Sequence, residues 1–149
     1  MKIRTKYHGE MNINEEEILR FEKGIPGFPN ETRFVLIPLT DDGLFQVLQS
    51  TVNEEIAFIT TDPFFYKKDY DFVVDDAIVE SLGIEQEKDV KVFVIITPKE
   101  PFNQSTANLQ APIVINTTNN KARQIILNNT NYLTKHPLFA EEPVTAKGR

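Results

Sequence analysis

The chain has 149 residues, a formal net charge of −6, 40% hydrophobic residues, and neither Cys nor Trp. That size suits one domain whose core needs no disulfide or structural metal, and the missing cysteines exclude thiolate zinc sites, iron–sulfur clusters and cysteine nucleophiles. The acidic balance argues against a surface that neutralises nucleic acid, and the longest purely aliphatic-aromatic run, Val92 to Ile96, is too short to span a bilayer.

Met1 to His8 is charged and leads into Glu15-Glu16-Glu17 without an apolar stretch for a signal peptide, so the expected setting is the cytoplasm. Weak strands are predicted at residues 2–8 and 18–21. A stronger one at residues 33–37 stops at Pro38, and the Asp41-Asp42-Gly43 turn leads into residues 44–50, since an Asp-Gly step supplies the positive φ of a tight hairpin. Residues 56–61 form the next strand, ending at Asp62-Pro63. The best helix candidate is residues 75–82, with Asp75 as N-cap, Ile78 and Leu82 on one face and Gly83 as the stop. Residues 90–97 are the longest strand. Residues 113–115 and 125–127 flank an Asn- and Thr-rich hairpin loop at 116–121, because Asn tolerates left-handed backbone geometry. Several runs are apolar at consecutive positions rather than alternating, which predicts strands covered on both faces, as in a barrel or sandwich. The polar, aperiodic residues 140–149 read as a poorly ordered tail.

The charge is uneven. Residues 54–89 carry 11 acidic against 3 basic side chains, residues 1–53 carry 8 against 6, and residues 90–149 carry 3 against 7. Such a window is either a solvated face or a docking surface for something basic.

Catalytic signals are sparse. His8 and His136 have no partner at a metal-binding spacing, and none of Ser50, Ser81 and Ser105 sits in a nucleophile elbow. No carboxylate pair stands out as an acid–base dyad. Gly24-Ile25-Pro26-Gly27 spells a GxxG loop but lacks flanking helices and no basic cluster surrounds it in the sequence, so it reads as a stiff turn between strands. Neither a cofactor nor a metal is expected.

Phe21-Glu22-Lys23-Gly24-Ile25-Pro26-Gly27-Phe28, Arg33-Phe34-Val35-Leu36, Phe45-Gln46-Val47-Leu48-Gln49-Ser50, Phe58, Asp62-Pro63 and Asn108-Leu109-Gln110-Ala111-Pro112-Ile113-Val114-Ile115-Asn116 occur in this order. Together they resemble the FliW family of flagellar assembly factors, and the likeness extends over residues 1–139 as a single domain. The resemblance implies a mainly β fold, a small flattened β-barrel of short antiparallel strands with one short helix, and a non-enzymatic role. FliW-like proteins bind flagellin in the cytoplasm and, once it is exported, bind the RNA-binding regulator CsrA, relieving its repression of flagellin translation without occupying its RNA site. The implied partners are therefore flagellin and CsrA, with no direct nucleic acid and no membrane.

The acidic window fits a basic RNA-binding partner, so Glu54, Glu55, Asp69, Asp71, Asp75, Asp76 and Glu80 are the expected CsrA-binding residues. The amphipathic terminal helices of flagellin need an apolar groove, for which Phe45, Val47, Phe64 and Tyr66 are the candidates, with core burial the competing role for Phe45 and Val47. A flagellin export chaperone alone, or a small β-barrel carbohydrate-acting protein using paired carboxylates, are the alternatives.

Overall fold

The computed structural model describes residues 1–128 and 130–139; the expected tail at residues 140–149 lies outside them. The described residues include eleven strands: β1 (Lys2–Thr5), β2 (Gly9–Asn12), β3 (Leu19–Arg20), β4 (Arg33–Pro38), β5 (Phe45–Ser50), β6 (Ala57–Thr61), β7 (Val90–Thr97), β8 (Thr106–Ala107), β9 (Ile113–Asn116), β10 (Lys121–Gln124) and β11 (His136–Pro137). Among the described residues there is one α-helix, α1, spanning Asp76–Leu82. The main sheet runs β11-β8-β7-β6-β5-β4-β3-β10-β9, and β9 pairs back onto β7, so the strands from β7 round to β9 form a closed ring. The expected mainly β barrel with one short helix is the architecture found.

The consecutive apolar positions are explained by what lies outside the ring. Phe34, Leu48, Phe93, Ile113 and Ile115 fill the interior together with Phe21 and Ile25. Their neighbours point outward and are covered in turn. Val35 and Ile37 of β4 lie under the β1–β2 hairpin, packed with Ile3, Ile13 and Ile18. Val94 and Ile96 of β7 are covered by Tyr70, Leu109 and Leu138. Val114 of β9 lies under Ile78 and Leu82 of α1. Two-sided burial removes the polar-out alternation that a one-sided sheet would show.

Three local expectations are revised. Residues 2–8 do not form one strand: the chain turns after Thr5, whose Oγ1 accepts the His8 N–H at 2.8 Å and donates to the Gly9 carbonyl at 2.7 Å. The partner of β9 is Lys121–Gln124 rather than residues 125–127, because the turn closes immediately at Asn120, which has φ 61°. Ile125 and Leu127 continue in a looser manner, donating to the carbonyls of Pro112 and Gln110. Asp75 precedes α1 in extended geometry, yet its side chain makes no capping hydrogen bond. Gly83 does stop the helix, in the left-handed conformation, and Ile84 N–H closes back on the Val79 carbonyl at 3.0 Å. The short β8 and β11 were invisible in the sequence because a two-residue strand has no periodicity to read.

Two buried amides tie distant parts together. Asn116, 1% exposed, donates from Nδ2 to the Leu82 carbonyl at the end of α1 at 2.9 Å, and Asn119 donates to the same oxygen at 3.0 Å. Gln49, fully buried, joins the β1–β2 turn to the β5–β6 turn.

In β11, burial and then the charge of Lys67 hold the His136 imidazole below its ordinary pKa. The unfolded chain therefore takes up this proton first as pH falls, so the contribution is intact above about 6.5 and is lost as pH drops toward the lowered folded-state value. Urea midpoints at pH 7.5 and 5.5 are expected to fall less in His136→Gln than in the parent; equal falls would show that His136 does not contribute.

Candidate protein-docking site

The connection from β6 to α1 is built to expose aromatic side chains. Asp62 accepts the Phe64 N–H at 2.8 Å, and Pro63 begins a one-turn 3-10 helix over Pro63–Phe65. A fixed proline φ suits that first position. Pro63 is buried beneath the turn, whereas Phe64 and Phe65 are 42% and 60% exposed. The return path is anchored by Tyr70, which is buried and donates its hydroxyl to the Leu109 carbonyl at 2.6 Å. Burial, and to a lesser degree Tyr132, pushes the Tyr70 phenol well above its ordinary pKa, so it remains a donor. The Tyr132 hydroxyl in turn accepts the Asp71 N–H and donates to the Asp71 carbonyl, both at 2.9 Å. Asp71 is thereby fixed through its backbone while its carboxylate faces solvent.

Beyond this anchor lies a cleft of about 560 Å³ whose floor and walls include Phe64, Phe72, Val74, Val79, Ile84 and Val92. Its charged lining is wholly acidic: Asp71, Glu85 and Glu87. A second cleft of about 490 Å³ shares Phe64, Glu87, Val90 and Val92, continues past Phe65 toward Asp62, and adds Lys91 to its lining. Val73, 89% exposed, stands beside the first. An apolar trough with an acidic edge suits an amphipathic segment whose polar face is basic.

The expected residues divide among several places. Phe64 and Asp71, assigned in the sequence to different partners, line one cleft. Asp71 and Asp75 also line an adjoining cleft of about 660 Å³. Asp76 and Glu80 are exposed on α1. Asp69 pairs with Lys67 at 3.1 Å, which holds its carboxyl below the usual carboxylate range. Glu54 and Glu55 sit in the β5–β6 turn, separated from the Phe64 turn by the length of β6, about 17 Å at the rise of a strand. They do not join the cleft.

The expectation that Phe45 and Val47 offer an apolar docking surface is corrected. They are 8% and 0% exposed, because β5 lies between β4 and β6 with both faces covered. Tyr66 is half-buried with its ring 6.3 Å from that of Phe139. Sequence reasoning missed Phe65, Phe72, Val73, Val74 and Ile84 as cleft residues. The available signal was their placement: apolar side chains embedded in the most acidic stretch of the chain.

Among the described residues no three His, Asp or Glu side chains gather where a metal ion could be held, and no helix is long and apolar enough to cross a membrane. The fold and cleft define a class: a closed β-barrel that presents a long apolar trough edged with carboxylates. Residues 2–138 match the family described as FliW protein. The chain is 50% identical to the flagellar assembly factor FliW of Bacillus subtilis over 141 residues, covering 95% of this chain and 99% of that protein. It is 51% identical to the same factor from a Geobacillus species over 142 residues, covering 95% and 98%. A crystal structure of the flagellar assembly factor FliW superposes with a TM-score of 0.91 at 49% identity, covering 95% of this chain and 99% of that one. The chain belongs to the FliW family.

Proposed function

We propose that this protein is a cytoplasmic flagellar assembly factor that binds flagellin and, when flagellin is exported, binds CsrA and relieves its repression of flagellin translation without occupying the RNA site. The observation that carries this reading is the acid-edged apolar trough around Phe64. An amphipathic flagellin helix buries its apolar face against Phe64, Phe72 and Val74, with Tyr66 at the flank of the same connection. The basic surface of an RNA-binding regulator is steered by Asp69, Asp71, Asp75, Asp76 and Glu80, and these carboxylates repel RNA phosphate from the neighbouring regulator surface. Glu54 and Glu55 add to the acidic field from the far end of β6.

The test is a paired binding measurement. Phe64→Asp is expected to weaken flagellin binding by about tenfold or more, since aromatic anchors carry much of an interface's energy. Reversal of both Asp75 and Asp76 to Lys is expected to weaken CsrA binding and flatten its salt dependence. Flagellin retention with no CsrA binding by the parent protein would establish the chaperone reading instead; recovery of neither partner would overturn both.

A further inference from the structure

The strand β10 carries Lys121 and Arg123 on one face, while Ala122 between them is turned into the barrel core. Side chains two apart on a strand share a face and stand roughly 6.8 Å apart. Arg20 lies directly beside Lys121 in the parallel pairing of β3 with β10. Its guanidinium donates to the Asn119 carbonyl at 3.0 Å, which holds the side chain in place. Lys23 completes a group of four cations that line one shallow depression next to the end of α1, with Glu22 as its sole carboxylate. Among the described residues the ion pair is Lys67–Asp69, so none of these four cations is neutralised by one. A local surplus of positive charge thus stands on a chain whose net charge is −6.

The shape of the depression narrows what it can take. Its volume of about 40 Å³ has room for roughly three water molecules, so a ligand of several charged groups meets the cations at its mouth rather than inside it. The cations are instead laid out along a strand. That arrangement matches carboxylates at alternate positions of an extended chain, which recur at the same two-residue spacing. A long polyanion such as nucleic acid would meet the repulsion of the whole acidic molecule, whereas a short acidic segment on a partner carries its charge only locally.

We propose that Arg20, Lys23, Lys121 and Arg123 form a docking surface for an extended acidic segment of a protein partner, with alternate carboxylates meeting Lys121 and Arg123 and a further one reaching Arg20. This surface is separate from the acid-edged trough: α1 contributes Val79 to the trough and Ser81 and Leu82 to the basic depression.

The probe is a fluorescein-labelled peptide of alternating Glu and Ser, followed by fluorescence anisotropy at low salt. The parent protein is expected to bind it, and the double variant Lys121→Ser with Arg123→Ser to bind about tenfold more weakly, as when charge-assisted contacts are lost. Binding should also vanish near 0.5 M NaCl, about where screening confines charges to direct contact. Lys23→Ser, at an exposed site, should give a smaller loss, and unchanged urea midpoints confirm that each variant is folded. If the double variant does not fold, the Lys23→Ser result decides. The proposal is overturned if the parent does not bind the peptide, if the folded variants bind as tightly as the parent, if inorganic phosphate displaces the peptide at concentrations where chloride does not, or if a single-stranded oligonucleotide of equal length binds more tightly than the peptide.

Discussion

Gly24→Ala is expected to destabilise the protein by about 3 kcal/mol or more, a large part of the stability of a domain of this size. Two effects combine. Gly24 has φ +68°, in the left-handed region where a Cβ costs about 1–2 kcal/mol. A Cβ there would also lie 2.5 Å from the Phe28 carbonyl oxygen and 2.6 Å from Pro29 backbone atoms, none of which is the tip of a flexible side chain. The loop cannot yield easily, because it is closed by the Ile25–Phe28 bridge and carries the 2% exposed Ile25 into the barrel interior. Gly27 supplies the control. It too has positive φ, at +91°, but nothing lies within 4 Å of its Cβ position, so Gly27→Ala should cost only the backbone term of about 1 kcal/mol. Urea unfolding of the two variants measures the difference, and equal losses would mean that the loop relaxes around the added methyl.

Replacing Gln49 should be nearly as damaging, and the pattern across substitutions should identify the cause. Its Oε1 accepts the Lys6 N–H at 2.9 Å, while Nε2 donates to the Ser50 and Glu54 carbonyls at 3.1 and 3.2 Å. Gln49→Met keeps the volume but leaves these groups without their partner, for a loss of about 2–3 kcal/mol. Gln49→Glu keeps the acceptor for Lys6 but aims a second oxygen at carbonyls. Burial and those carbonyl dipoles raise the folded-state pKa of the introduced carboxyl above its unfolded value near 4.3. The penalty is then absent below that unfolded value, where both states are protonated, and grows as pH rises toward the folded-state value. Gln49→Glu should consequently be worse than Gln49→Met at pH 7 and improve relative to it near pH 4. A constant difference between the two variants across that range would show that the carbonyl cluster reorganises instead.

Gly24 and Gln49 mark two different limits on reading this chain. The turn at Gly24-Ile25-Pro26-Gly27 was legible, since Gly and Pro punctuate backbone geometry locally, but the close approach of Phe28 and Pro29 to Gly24 was not. Gln49 lies in a predicted strand alongside two other polar residues, Gln46 and Ser50, and nothing local distinguishes an exposed Gln from one that joins two turns. The same division holds for the site. Acidic density over residues 54–89 was plain in the composition, yet the strand β6 separates Glu54 and Glu55 from the rest, and Lys67 takes up Asp69. Phe64 is exposed at its turn, whereas Phe45 and Val47 are core because β5 is covered on both sides.

The uneven charge and the consecutive apolar runs were sufficient by themselves to determine a mainly β chain with an acidic middle, because each depends on residue type and near-neighbour spacing. The ordered run of GIPGF- and LQAPIVIN-type segments was sufficient for the family. Only the tertiary structure decided that β9 closes onto β7, that Phe64 and Asp71 share one trough, and that Arg20 meets Lys121 from a hundred residues away. Those contacts rest on long-range strand pairing and on which face each side chain takes, and a shift of one residue in register reverses every face of a strand.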